Sequence, residues 1–370
     1  MYRLTQASAL CYRIYDVGEE INLERAKALV VNTDASRLRL SREGSEYIQL
    51  ANPPLAYELG VRPLKLKSGV RDAHVTVRLF DHGALSVVLR VEIPSGTPLE
   101  ELVPFSDDVS DNPELEKVAH EVMTTVRQAI APAIKDPHLW EERESYTVFR
   151  VREIEDKPTA KQLLEAPSLP RLILGEARET TLSEAERRDV LSHAFSYTEH
   201  DLAVIDWNCA FLYEPPHFAS NDVADLLEIA NAQLLEFRYY DDVLDKELTR
   251  VYDAIEKNKG AGTLVRSPYK QLLRELMLTL IEMSEFIERV DNSLVIVADV
   301  YLGRVYEAAV GQLRIPQWQV QVSRKQKLLS QTYALLKGEV DTGRALTLEM
   351  MVVLLILLEI IVAFSGLVPH

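Results

Sequence analysis

The segment MMVVLLILLEIIVAFSGLV, Met350–Val368, decides how the rest of the chain is read. From Met350 to Phe364 every residue but Glu359 is apolar. As a helix these 19 residues span about 28 Å, close to the roughly 30 Å hydrocarbon core of a bilayer. The segment is apolar on every helical face, whereas a helix lying on a protein surface shows a stripe. A carboxylate at mid-bilayer costs about 2.5–3.5 kcal/mol. The surrounding leucines, isoleucines and valines, at about 0.3–0.6 kcal/mol each, offset that cost. The reading is one transmembrane helix over residues 346–368, with a buried core or oligomer helix as the alternative. Arg324, Lys325, Lys327, Lys337 and Arg344 precede the segment, and only His370 follows it. The excess of positive charge on one flank places the N-terminal part in the cytoplasm or matrix. That describes a single-pass protein of a cell inner membrane or a mitochondrial-type inner membrane.

Away from the tail, the 370 residues are ordinary for a soluble protein, with 47% apolar content and a mean hydropathy of −0.07. That average excludes a polytopic membrane protein. There are 41 basic and 57 acidic residues, a net charge of −16. Phosphate contacts need a basic face, so direct nucleic-acid binding is not expected. Cys11 and Cys209 make no disulfide framework and match no zinc or redox spacing. Met1–Leu10 carries one basic residue and no long apolar run, and does not read as a secretory signal.

From Ser220 onward the pattern is that of long helices. Ser220, Asn221 and Asp222 offer an N-cap. Val223, Leu227, Ala230, Leu234, Phe237, Leu244, Leu248, Val251 and Ile255 then form a heptad seam, interrupted only at Asp241. Lys257 to Gly260 should end this helix. A second helix should begin at Ser267-Pro268 and run to about Ile315, before Pro316. Its seam is Tyr269, Leu273, Leu276, Leu280, Met283, Ile287, Val290, Leu294, Val297, Tyr301, Val305 and Ala308. A third helix should cover Trp318–Lys337, with Gly338 and Gly343 weakening its link to the tail. The first two helices should pair as an antiparallel hairpin. The long seams also predict a homo-oligomer with coiled-coil contacts.

Residues 1–215 have a different texture. Val75, Val77 and Leu79 alternate with polar residues, Asp81-His82-Gly83 makes a turn, and Leu85, Val87, Leu89, Val91 and Ile93 alternate again. This is a β-hairpin. Asn112 should cap a helix over Pro113–Ile130, and Tyr146–Val151 should be a strand. Thr181-Leu182-Ser183-Glu184 is a capping-box pattern for a helix to about His193, and Asp201–Tyr213 reads as a strand or paired strands. The fold class is α+β. A mainly antiparallel domain over 1–215 precedes a long-helix hairpin and third helix over 220–345, and then the tail.

Chemistry is harder to find. The chain has no glycine-rich phosphate loop, GxSxG elbow or HExxH pair. His193 and His200 are too loosely spaced for a metal site, and prolines deny Glu214-Pro215-Pro216-His217 the helix that an Glu-x-x-His ligand pair needs. No catalytic residue, metal or cofactor is expected. The densest polar group is Arg238, Asp241, Asp242 and Asp245 in the first long helix. The spacing places Arg238, Asp241 and Asp245 on one face. They read as a buried ion pair fixing helix register, as a cation site, or as a docking point for the α+β domain. Glu359 is either tolerated in a tilted span, hydrogen-bonded in a helix assembly, or a pore residue.

Three blocks carry a resemblance. They are Asp201–Trp207 with Glu214-Pro215; Leu226-Leu227-Glu228 with Asn231–Asp241; and Arg344–Glu349 followed by Val353–Ile356 and Glu359. Together they are similar to the family called required for meiotic nuclear division, with its YagE-like bacterial relatives. The resemblance implies a membrane-anchored protein with one C-terminal span, the two tail glutamates Glu349 and Glu359, and no established enzymatic activity. The resemblance also implies a link to organellar translation, which mitochondrial members support as scaffolds for ribosomes or their products. The expected function is therefore a membrane-anchored oligomeric scaffold with an unknown protein partner. The alternatives are an oligomeric transport protein with Glu359 in a pore, an enzyme with an unrecognised site in the α+β domain, and a soluble helical protein that buries its last helix.

Overall fold

The structure is a computed structural model that describes residues 2–30, 35–37, 49–50, 52–110, 112–175, 182–215, 222–257, 269–295 and 300–365. Its strands are β1 (Arg3–Asp16), β2 (Gly18–Ile21), β3 (Ala35–Arg37), β4 (Gln49–Leu50), β5 (Leu55–Leu66), β6 (Gly69–Leu79) and β7 (Ala84–Ile93). These are followed by β8 (Thr97–Pro98), β9 (Ile134–Pro137), β10 (Arg143–Ile154), β11 (Ala194–Phe195), β12 (Leu202–Ile205), β13 (Cys209–Tyr213) and β14 (Leu294–Val295). The short helices are α1 (Leu23–Leu29), α2 (Leu102–Ser110), α3 (Pro113–Ala129), α4 (Ala160–Glu165), α5 (Ser168–Leu174) and α6 (Glu184–Val190). The longer ones are α7 (Asp222–Lys257), α8 (Lys270–Ser293), α9 (Val300–Gln312) and α10 (Ile315–Ser365). The class is α+β, as the sequence predicts.

The chain divides into two units, one of Met1–Tyr239 with Arg289–Trp318 and one of Tyr240–Glu288 with Gln319–His370. The first is built on a ten-stranded sheet in the order β11-β12-β13-β10-β1-β7-β6-β5-β3, with β8 also on β1. Pairing is antiparallel except between β10 and β13. The expected hairpin is β6–β7. Its turn needs Gly83, which has φ +105° and sits where a Cβ would collide with the Gly18 carbonyl oxygen. The expected strand over Tyr146–Val151 lies within β10, and the paired strands expected over Asp201–Tyr213 are β12 and β13. Alternation did not reveal β1, the central strand, because Arg3–Asp16 is buried on both faces and does not alternate.

One face of the sheet carries Ala9, Cys11, Val75, Val77, Val87, Leu89, Phe149 and Phe211 into the main core. Burying each large apolar side chain contributes about 1.5–3 kcal/mol. Helix α3 closes this face with Leu115, Ala119, Val122, Met123 and Val126. Its start follows the expected chemistry. Pro113 occupies the first turn, and the Asn112 side chain accepts from the N–H groups of Glu114 at 2.9 Å and Leu115 at 3.3 Å. In α6 the capping group is Ser183, which accepts from Glu186 N–H at 3.1 Å. Thr181 lies outside the described residues, as do Ser220, Asn221, Gly260, Ser267 and Pro268.

The second unit is a set of three helical segments. Tyr240 stacks on Phe286 with ring centroids 4.3 Å apart, and Arg250 pairs with Glu275. These contacts make α7 and α8 antiparallel here, as expected. Tyr269, Leu276 and Met283 of the expected seam are buried, but Leu272 and Phe286 fill it in place of the half-buried Leu273, Leu280 and Ile287. On α10 the buried residues Val322, Leu329 and Leu336 recur at heptad spacing.

Two helix boundaries differ from expectation. The predicted second helix is broken, since α8 ends at Ser293, β14 pairs antiparallel with β4, and α9 starts at Val300. Asp291-Asn292-Ser293 favours turns, and the β-branched residues that follow favour a strand. Conversely, the predicted third helix does not stop at Lys337. It runs through Gly338 and Gly343 into the tail as one 51-residue helix. A glycine costs a helix only about 1 kcal/mol relative to alanine, which the strong helix formers around these two override.

Candidate functional site

The second face of the sheet positions a heavily charged buried group. Helix α7 lies across it, and residues 222–237 are buried on every side. That helix face is far from apolar. It carries Asp222, Asp225, Glu228, Asn231, Gln233 and Glu236. Arg78, on the side of β6 opposite the main core, meets two of them. It pairs with Asp225 at 2.7 Å and with Glu228. Glu228 has no exposed side-chain surface. Burial pushes its carboxyl above the usual range, and Arg78 with Ser86 pulls it back. Burial alone would lower the Arg78 pKa, but Asp225 and Glu228 hold the guanidinium firmly protonated. Beside them the fully buried Tyr12 donates to the Ala224 carbonyl at 3.2 Å. Burial first, and then the Glu228 charge, raise that phenol far above its ordinary value. Further along, Tyr306 of α9 donates to Gln233 Oε1 at 2.6 Å.

This arrangement tethers a helix to a sheet. An arginine between two carboxylates forms strong charge-assisted bonds, and removing it would leave two buried charges uncompensated. It presents no nucleophile beside a base. Among the described residues no group of three or more His, Cys, Asp or Glu could hold a metal ion. Burial raises the thiols of Cys11, to about 11, and of Cys209, so neither is a ready nucleophile.

The residues singled out from the sequence fall in three places. Arg238 belongs to the first unit, pairs with Glu144 and lies over the Trp140 ring, 5.7 Å from its centroid. Asp241 and Asp245 belong to the second, where Lys325 Nζ reaches both at 2.7 Å. Burial alone would lower the Lys325 pKa, but the two aspartates raise it. The single helix face expected for Arg238, Asp241 and Asp245 is thus divided between two separate ion groups. Asp242 pairs with Lys246 one turn on. Glu349 and Glu359 are exposed on α10 among the apolar side chains of the tail. That helix has an 18-residue window of mean hydropathy 2.6, none of it buried. By length and composition it is the one helix among the described residues able to cross a membrane.

Sequence reasoning missed Arg78, Asp225, Glu228 and Tyr12. In β6 the alternation of Val75, Val77 and Leu79 assigns Arg78 to the other side of the strand, which a two-layer domain leaves in water. Glu228 sits outside the apolar seam of α7. The only local signal was the density of carboxylates and amides in a segment that also carries leucines on all sides.

Comparison with known proteins agrees on the first unit. A protein of Methanocaldococcus jannaschii described as "Uncharacterized protein MJ0711" is 25% identical over 225 residues, covering 61% of this chain and 67% of the relative. No solved structure matches. The family model described as "Uncharacterized protein MJ0711, N-terminal domain" matches residues 6–219, from within β1 to beyond β13. The chain therefore belongs to the MJ0711 N-terminal domain family.

Proposed function

We propose that this protein is a single-pass membrane-anchored interaction protein that assembles with copies of itself and holds its α+β unit at the membrane surface as a scaffold. The observation that carries this reading is the end of α10, where an 18-residue window of mean hydropathy 2.6 is not buried among the described residues. So large an exposed apolar surface needs lipid or another chain. The basic flank before the tail and the acidic character of the rest support an orientation with the first unit in the cytoplasm or matrix. The resemblance to the required-for-meiotic-nuclear-division family belongs to the same reading, and extends it to a scaffold near translation or membrane-protein biogenesis.

The test is fractionation of cells producing the full chain. Detergent should be required to release it, and crosslinking in membranes should capture self-adducts together with a specific protein partner. Release by alkali or high salt alone would overturn anchoring. Absence of self-adducts would remove the oligomer from the proposal. Glu359 favours a second reading, since an ionisable group inside an apolar helix gains by facing another helix or a polar lumen. A cation flux into liposomes that Glu359→Gln abolishes would establish a transport role, and absence of flux would dismiss it.

A further inference from the structure

We propose that the connection between β9 and β10 is a pH-controlled clasp on α7, closed by a doubly protonated His138. The two ring nitrogens carry the argument. His138 Nδ1 lies 3.0 Å from the Asp136 carbonyl oxygen, and Nε2 lies 3.1 Å from Asp16 Oδ2. Both neighbours are acceptors only. A neutral imidazole donates from one nitrogen and would aim a lone pair at an oxygen with the other. The imidazolium satisfies both. It also stacks on Tyr239, with centroids 4.8 Å apart and rings 14° from parallel, where a cation on a π face is favoured.

The groups around His138 come from four elements. The β1 carboxylate of Asp16 is buried, with its other oxygen accepting from Gly18 N–H at 3.3 Å. Arg127 of α3 is the opposing cation. Asp136 contributes its carbonyl from the same segment, and nearby Lys135 pairs with Glu19. Tyr239 of α7 supplies the stacked ring. Burial lowers the His138 pKa, but the bond to Asp16, its charge and the Asp136 carbonyl outweigh burial and Arg127, and the net direction is upward.

The clasp has something to hold. The N–H groups of His138 and Trp140 donate to the Val17 and Asp16 carbonyls, each at 3.2 Å, which ties the connection to the end of β1. Trp140 then meets Tyr239 edge-on, with centroids 5.9 Å apart, and underlies Arg238. Arg238 in turn pairs with Glu144 and approaches Glu142 at 4.0 Å. Loss of the proton from His138 leaves the buried Asp16 carboxylate without its cation and turns a ring lone pair toward an oxygen. Both effects favour release of Trp140 from Tyr239. The folded-state pKa lies above the ordinary value of about 6.5. The stabilisation is therefore complete below that pH and is lost as pH rises through the folded value.

The experiment uses the full chain in detergent with Trp207→Phe and Trp318→Phe, which leaves Trp140 as the fluorophore. Its emission should shift to the red as pH is raised, with a midpoint above about 6.5 that coincides with the His138 imidazole NMR titration. His138→Phe keeps the stacking and removes the proton, so its emission should be flat with pH. In Asp16→Asn the imidazole midpoint should fall. If that variant does not fold, the His138→Phe comparison still decides. Emission that stays flat while His138 titrates, a midpoint at or below the ordinary value, or a pH transition that survives His138→Phe would each overturn the clasp.

Discussion

Residues 222–237 of α7 and 348–362 of α10 are arranged in opposite ways. The first segment carries Asp222, Asp225, Glu228, Asn231, Gln233 and Glu236, and is buried throughout. The second is apolar apart from Glu349 and Glu359, and is exposed throughout. Polarity by itself would place each in the other's position. The difference teaches that a helix is read against what surrounds it. The first segment is surrounded by a sheet face that supplies Arg78, Tyr12 and Ser86, together with Tyr306 of α9. The second is exposed along its whole length among the described residues, which is the condition a bilayer satisfies.

The most damaging way to break this comparison is to remove the sheet's side of it. Arg78→Met should cost about 3–5 kcal/mol of unfolding free energy, because Asp225 and Glu228 remain buried without their cation. Chemical denaturation of the detergent-solubilised chain measures it. Replacing Arg78, Asp225 and Glu228 together by apolar residues of similar size should recover most of the loss, and a triple variant as unstable as the single one would show that the tether does more than neutralise charge. On the other helix, Leu355→Lys should cost about 2.5–3.5 kcal/mol of insertion. Together with Ile356→Lys it should make the protein extractable by alkali, and unchanged extraction would count against a lipid environment. A smaller effect belongs to α9. Tyr306→Phe removes the hydroxyl's bond to Gln233 Oε1, at about 0.5–1.5 kcal/mol of stability. The smallest is Lys325→Met. Asp245 is more than half exposed, so this pair is screened, and about 1 kcal/mol or less should be lost. A larger loss would mean that the three-helix packing depends on this ion group.

The most legible strands were those with polar residues along one side, even where, as at Ser86 in β7, that side is covered. Val75–Leu79 and Leu85–Ile93 alternate because one side of each strand is packed against the main core, and Asn112-Pro113 is a helix start whatever surrounds it. Arg3–Asp16 carries no such alternation, which is why β1 escaped notice, and the apolar seam of α7 hid the carboxylates buried beside it. Arg238, Asp241 and Asp245 share a helix face by spacing, but their ion partners differ. Sequence spacing records which residues share a face, and it does not record that Glu144 and Lys325 wait on different neighbours. His138 and Asp16 are separated by most of the first unit's sheet, so their pairing has no local signature at all.

The continuity of α10 has a mechanical consequence. A single helix that passes through Gly338 and Gly343 without a break has no swivel between Leu336, buried in the helical bundle, and Leu348 in the apolar tail. The angular phase of the tail is then locked to that of the bundle. One residue inserted at Gly343 would turn Glu349 and Glu359 by about 100° around the helix axis and advance them about 1.5 Å, while a seven-residue insertion would nearly restore their azimuth at a greater distance.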